Sequence, residues 1–240
     1  MSAVAAHRLT VRYGETVALD DVSVDIAEGR ICGLLGMNGS GKSTLFKSLM
    51  GLIRPDAGEV RVLDGTQRRA RRAGLIAYVP QSEAVDANFP VTVADVVMMG
   101  RYGHLSLTRR PRRADRESVR AALHRVGLTE LAGNPIGELS GGQRKRTFVA
   151  RGIAQDARLL LLDEPFAGVD RTSEAMITDL LLQLRDEGRT VVISTHDLAG
   201  VPELCDEAVL LQQRVIAHGP VERALAPEML ARAFGMPEVP

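Results

Sequence analysis

No apolar run in the 240-residue sequence approaches the roughly 18 to 20 residues that a membrane-spanning helix needs. Runs such as Ile31 to Leu35 and Leu159 to Leu162 are only five and four residues long. The chain itself is therefore not expected to cross a bilayer. Met1 to Leu9 lacks a basic start followed by an apolar core, so it does not read as a secretory signal, and a cytoplasmic location is expected. Cysteine is scarce: Cys32 and Cys205 are far apart, without Cys-x-x-Cys spacing or an adjoining histidine, and are expected to be reduced structural thiols. The five histidines, His7, His104, His124, His196 and His218, are scattered without ligand spacing, which argues against a transition-metal site in this chain. Net charge is also missing. Thirty basic residues balance thirty acidic ones, leaving no global electrostatic reason to expect nucleic acid as a partner. There is no internal repeat and no low-complexity linker.

Lysine is nearly absent as well: only Lys42, Lys47 and Lys145 interrupt an otherwise arginine-based set of cations. Where arginine serves almost every generic positive charge, a retained lysine raises a chemical question.

What is present is enough for one sizeable core, or one core with a small attached lobe, at 45% hydrophobic content. The opening segment alternates, with Leu9, Val11 and Tyr13 on one face and Val22, Val24 and Ile26 on one face of a second run. This predicts an antiparallel N-terminal sheet. Continuous short apolar runs at 30–35, 75–79, 159–162 and 190–195 instead predict strands buried on both faces, hence a parallel sheet flanked by helices. Between Thr92 and Ala154 helical periodicity takes over, around Val93 to Met99, Ala114 to Val126 and Gly142 to Ile153, which predicts a helical lobe inserted into the sheet. Arg109, Arg110, Arg112, Arg113 and Arg116 cluster around Pro111 in that lobe, either as a solvated surface or as a contact for a partner or lipid headgroups.

The chemistry concentrates at strand ends. Gly36, Gly41, Lys42 and Ser43 fit Gly-x-x-x-x-Gly-Lys-Ser/Thr directly after one buried strand and at the start of a helix. Glycine lets the backbone of this loop, with Asn38, Gly39, Ser40 and Thr44, curl its N–H groups toward phosphate oxygens, and the helix start adds partial positive charge. Lys42 supplies a compact ammonium for the outer phosphates, and the Ser43 hydroxyl a magnesium ligand. Four leucines end in Asp163 and Glu164 before Pro165. At the carboxyl end of a parallel strand, Asp163 is placed to hold magnesium and Glu164 to act as general base toward water. Thr190 to Thr195 likewise ends in His196, a candidate for orienting that water beside the γ-phosphate.

Leu139-Ser140-Gly141-Gly142-Gln143 resembles the signature sequence of the ABC ATPase family, in the expected order with the features above from about Tyr13 to His196. The resemblance implies an α/β P-loop NTPase core carrying an N-terminal antiparallel β-subdomain and an inserted helical lobe, in a single ATPase domain over 1–240. It further implies that Tyr13 stacks on adenine, that Gln81 senses magnesium and the γ-phosphate, and that Asp170 links two sites. Cofactors would be ATP and Mg2+. Ser140, Gly141, Gly142 and Gln143 would cover the ATP of a second copy in a head-to-tail dimer. Membrane permease subunits would dock beside the Gln81 segment, placing the chain on the cytoplasmic face of the membrane, with a metal-binding protein as an indirect partner and no nucleic acid. The stretches Val85 to Val91 and Asp95 to Gly103 resemble ATPases of manganese and chelated-iron importers, with zinc importers more distant. A soluble ABC ATPase outside transport, or a binding module without catalysis, are the competing classes; Glu164 and His196 speak against the second.

Overall fold

A computed structural model describes residues 1–81, 90–105 and 110–234. Residues 85–89 of the importer-like stretch, Arg109 of the arginine cluster and residues 235–240 lie outside the described residues.

Two antiparallel strands open the chain, β1 (Ser2–Tyr13) and β2 (Thr16–Ala27). β1 buries Val4 and Ala6, then Leu9 and Val11. The alternation changes phase because the register slips between Ala6 and Leu9, where Arg8 takes φ +49°. Tyr13 continues the Leu9 and Val11 face yet is 49% exposed, since it lies beyond the last pair, Thr10 with Ala57, that β1 makes with its other neighbour. That neighbour is β4 (Ala57–Val62), and with β5 (Gly65–Thr66) it completes a four-stranded sheet in the order β2-β1-β4-β5. β4 was not legible in the sequence, because its six residues offer only Val60 and Val62 to the core.

The second sheet has six strands in the order β10-β9-β3-β8-β7-β6. Four of them are the continuous apolar runs: β3 (Ile31–Leu35), β6 (Ile76–Val79), β7 (Leu159–Asp163) and β8 (Thr190–Thr195). They pair in parallel with one another and with β9 (Glu207–Gln212). β10 (Arg214–Pro220) closes one edge antiparallel to β9. β3, β7 and β8 are buried along their whole length, which is why they read as unbroken hydrophobic runs.

Each face of this sheet is covered. Helix α1 (Lys42–Leu49) and the antiparallel sheet pack on one side, enclosing Cys32, Leu34, Phe46, Leu161 and Val192. Phe46 is fully buried and meets Tyr78 edge to face at 6.2 Å; truncating such a ring to alanine costs about 3–5 kcal/mol. Beyond β5 comes the short α2 (Gln67–Arg72). On the opposite face, α3 (Val93–Met99), α4 (Arg113–Arg125), α5 (Gly141–Ala154) and α6 (Arg171–Asp186) share one core cluster with Ile31, Leu160, Leu162 and Ile193. Three of these helices, α3 to α5, fall between β6 and β7. Inside them Arg101 reaches Asp115 at 3.1 Å and the Ala154 carbonyl at 2.9 Å, tying the ends of α3 and α5 to the start of α4. The Arg112 backbone N–H and then Arg101 hold the Asp115 carboxyl below the usual carboxylate range. Arg113 pairs with Glu117 at the exposed start of α4. The chain ends in α7 (Val201–Leu204), β9, β10, α8 (Val221–Ala224) and α9 (Pro227–Phe234).

Both cysteines are free and buried. Among the described residues no helix is long and apolar enough to cross a membrane.

Candidate nucleotide site

Register determines what gathers at the carboxyl edge of the sheet. Leu35 pairs with Thr195, Asp163 with Ser194 and Val79 with Leu162, so the residues following β3, β8, β7 and β6 emerge side by side. These are the phosphate-loop motif, His196, Glu164 and Gln81. A cleft of about 360 Å³ opens there, lined by Tyr13, Asn38 to Thr44, Gln81, Asp163, Glu164 and Gln213.

The loop's glycines are required by close approach. A Cβ on Gly36 would lie 2.3 Å from the Leu211 carbonyl oxygen, and one on Gly41, at φ +100°, would lie 2.5 Å from that of Ala18. No side chain caps the N-terminus of α1, so its first-turn N–H groups keep their donor capacity for a ligand. Lys42 curls back over the loop, its ammonium donating to the carbonyls of Gly36 at 2.6 Å and Met37 at 3.0 Å. Burial lowers its pKa, and the nearby Glu164 and Asp163 charges act in the opposite direction. In the same loop the Ser40 hydroxyl is buried and has no hydrogen-bond partner among the described residues.

Asp163 is held from three sides. Ser43 donates to its Oδ2 at 2.9 Å, Tyr78 donates to the same oxygen at 3.3 Å, and Ser194 donates to Oδ1 in a short bond. Burial, together with the Asp163 charge and bond, pushes the Tyr78 hydroxyl up to about 12. Glu164 follows at φ +49°, a costly backbone conformation for a non-glycine residue. Its N–H is tied to the Ser194 carbonyl at 3.1 Å and hydroxyl at 3.0 Å. The twist turns its carboxylate toward Gln81, whose amide Nε2 donates to Oε2, and toward His196, whose Nδ1 lies 3.2 Å from Oε1.

The structure thus brings together Tyr13, the loop, Gln81, Asp163 and Glu164 around the cleft, and His196 joins them through its contact with Glu164 without itself lining it. It keeps the signature motif apart: among the described residues, Ser140 to Gln143 and Asp170 do not line the cleft. Ser140 caps α5 reciprocally with Gln143, the Ser140 hydroxyl accepting from the Gln143 N–H at 3.2 Å and the Gln143 side-chain Oε1 accepting from the Ser140 N–H at 2.9 Å. Gly142 packs against α6, where a Cβ would sit 2.4 Å from the Ser173 hydroxyl. Asp170 caps α6 by accepting from the Ser173 N–H at 2.9 Å, and that bond lowers its pKa.

Tyr78, Ser194 and Gln213 are site residues that the sequence reading missed. Tyr78 and Ser194 were detectable as hydroxyls interrupting apolar strands one or two positions before the edge. Gln213 reaches the loop only through a distant hairpin, its N–H donating to the Ser40 carbonyl at 2.8 Å. Among the described residues, no group of three or more His, Cys, Asp and Glu is placed to hold a metal ion.

Together, a parallel sheet, a phosphate loop leading into α1 and paired carboxylates at the strand ends define a P-loop nucleotide-binding fold. Residues 19–167 match the model of the ABC transporter family, and the chain belongs to that family. It is 52% identical over 229 residues to the chelated iron transport system membrane protein YfeB of Yersinia pestis, covering 95% of this chain and 77% of that protein. With the manganese transport system ATP-binding protein MntA of Synechocystis it shares 47% over 233 residues, covering 97% and 90%. A solved structure of a metal-chelate type ABC transporter in an inward-facing conformation superposes with a TM-score of 0.87 at 32% identity, covering 99% of this chain and 90% of that one. The chain is an ATP-binding subunit of a transport system, and its ATP hydrolysis is coupled to transport.

Proposed function

We propose that this chain energises the import of a transition-metal ion, manganese foremost and iron second, by closing and opening a symmetric pair of ATP sites. The cargo reading is supported by the names of the relatives, whose systems carry manganese and chelated iron. The observation that carries the catalytic reading is the Gln81–Glu164–His196 cluster beside the phosphate loop.

The donor set suits magnesium. Ser43 and Asp163 offer hydroxyl and carboxylate oxygens 2.9 Å apart, hard ligands of the kind magnesium takes. These two would hold it, with Gln81 adjacent, and the bound ion would neutralise charge on the outer phosphates. Lys42 binds the same phosphates as a point charge, the backbone of residues 36–44 cradles them, and Tyr13 presents its exposed ring to the adenine. Glu164 takes the proton of the attacking water. His196, bonded to that carboxylate, contacts the γ-phosphate and keeps the water in line.

Hydrolysis needs a second copy in this reading. Ser140 and Gly141 are exposed at the start of α5 and lie outside their own chain's cleft. Ser140, Gly141, Gly142 and Gln143 of one copy complete the ATP site of the other, and Asp170, beside the signature on α6, links the two sites. Permease subunits take up the motion at the cytoplasmic face of the membrane, and a metal-binding protein delivers the cargo.

Uptake of manganese, iron and zinc by cells carrying or lacking this subunit tests the reading. Loss of manganese accumulation with the subunit supports it. Loss of zinc alone reassigns the cargo, and no change in any of the three refutes metal import.

A further inference from the structure

Of the three lysines, Lys42 belongs to the phosphate loop; Lys145 does not, yet it is only 8% exposed. Burying an ammonium is costly unless its donors are satisfied. Lys145 projects from α5, two residues past the signature motif, and donates to the Gln81 carbonyl at 3.0 Å and the Pro80 carbonyl at 3.4 Å.

The setting gives this contact meaning. β6 is an edge strand, and α5 caps its outward carbonyls with long polar side chains: Gln155 donates to Ile76 at 2.7 Å and Arg151 to Tyr78 at 2.8 Å. A Cβ on Gly152 would stand 3.0 Å from that of Ala77, so helix and strand are in close contact. Gln155 and Arg151 bond to the regular strand and its approach. Lys145 reaches past the strand's end, onto the residue whose amide holds Glu164. Gln81 is thereby anchored twice, through its carbonyl to the signature helix and through its side chain to the carboxylate beside the phosphate loop.

We propose that Lys145 is a positioning residue for hydrolysis: from the signature helix it fixes the Gln81 backbone so that the Gln81 amide keeps the Glu164 carboxylate aimed at the water. The proposal rests on the catalytic reading of Gln81 and Glu164 above. It makes the helix that meets the second copy also the helix that aligns the first copy's base. Lys145 does not line the cleft, so its effect should fall on turnover and not on nucleotide affinity.

The test compares the full chain and its K145M, K145R, Q81A, K145M/Q81A and Q155M variants. Equilibrium binding of a fluorescent ATP analogue and steady-state phosphate release with magnesium ATP are measured for each. K145M should bind nucleotide within about twofold of the parent but lose roughly 10- to 100-fold in kcat, the scale of a small misplacement of a reacting group. K145R should recover part of that loss, because it restores donors to the same carbonyls. K145M/Q81A should be no slower than Q81A alone, whereas Q155M, which frees a carbonyl on the strand itself, should lower the unfolding midpoint and leave kcat unchanged. If Q81A is slow and K145M is not, or if the two losses multiply, the proposal is overturned while the catalytic reading stands. If Q81A itself turns over normally, the reading beneath it fails. Should K145M not fold, K145Q takes its place: slowed turnover that does not deepen that of Q81A in K145Q/Q81A supports the proposal, and parent-like turnover or losses that multiply overturn it.

Discussion

Nδ1 of His196 lies 3.2 Å from the Glu164 carboxylate, joining the ends of β8 and β7. The Glu164 side chain is only 7% exposed and that of His196 59%, so the imidazole is the more open of the two to a bound phosphate. Replacing His196 with alanine should leave ATP binding intact and reduce phosphate release about 10²- to 10³-fold, as for the loss of one oriented donor. Parallel binding and turnover assays check this; a parent-like rate would remove His196 from the chemistry.

Lys42 is the cation of the phosphate loop, and its removal should act earlier. Lys42→Ala should weaken ATP binding at least tenfold, as read by equilibrium titration, because the outer phosphates lose their point charge. Unchanged affinity would contradict the placement of phosphates at Gly36 to Thr44.

Gly142 should tolerate no larger residue. Alanine favours helix by about 1 kcal/mol over glycine, yet its Cβ would overlap the Ser173 hydroxyl at 2.4 Å. Overpacking of this kind costs about 1–3 kcal/mol. Gly142→Ala should therefore lower the urea midpoint, and Ser173→Gly in the same chain should recover part of the loss. A midpoint equal to or above the parent's would show that α5 and α6 part readily at the signature.

Tyr78 makes stability depend on alkaline pH. Its hydroxyl titrates near 12 in the folded chain against about 10 when unfolded, so the native state holds this proton more tightly. The contribution is complete below pH 10 and is lost as pH rises toward 12. Urea midpoints measured from pH 9 to 11.5 should fall more steeply for the parent than for Tyr78→Phe. Identical slopes would mean that the hydroxyl titrates normally.

Sequence pattern revealed the elements whose residues obey one rule throughout. β3, β7 and β8 are buried on both faces and read as unbroken apolar runs; α3 showed its length through Val93, Val96 and Val97. The candidate site was legible for a related reason: Gly36, Glu164 and His196 sit directly beyond those strands and Gln81 two residues beyond β6, so parallel register brings them to one edge. β4, β9 and β10 escaped notice. β10 is an edge strand with no fully buried side chain, and β9 opens on the buried but charged Glu207. Tyr78 and Ser194 stood out only as hydroxyls within largely apolar strands, and they acquire a role in the site only when the sheet places them against Asp163. The tie between Lys145 and Gln81 joins residues 64 positions apart, and no local pattern encodes it.

In the proposed cycle two copies of this chain share two ATP sites, and Glu164 takes the proton of the attacking water in each. Sedimentation of Glu164→Gln with and without magnesium ATP tests it most directly, since the amide keeps the side chain's shape but cannot take the proton of water. A monomer without nucleotide that becomes a stable dimer holding two ATP molecules, with phosphate release reduced at least 100-fold, is the predicted result. A variant that stays monomeric with ATP bound and still hydrolyses it at the parent rate would contradict both the composite site and the role of its base.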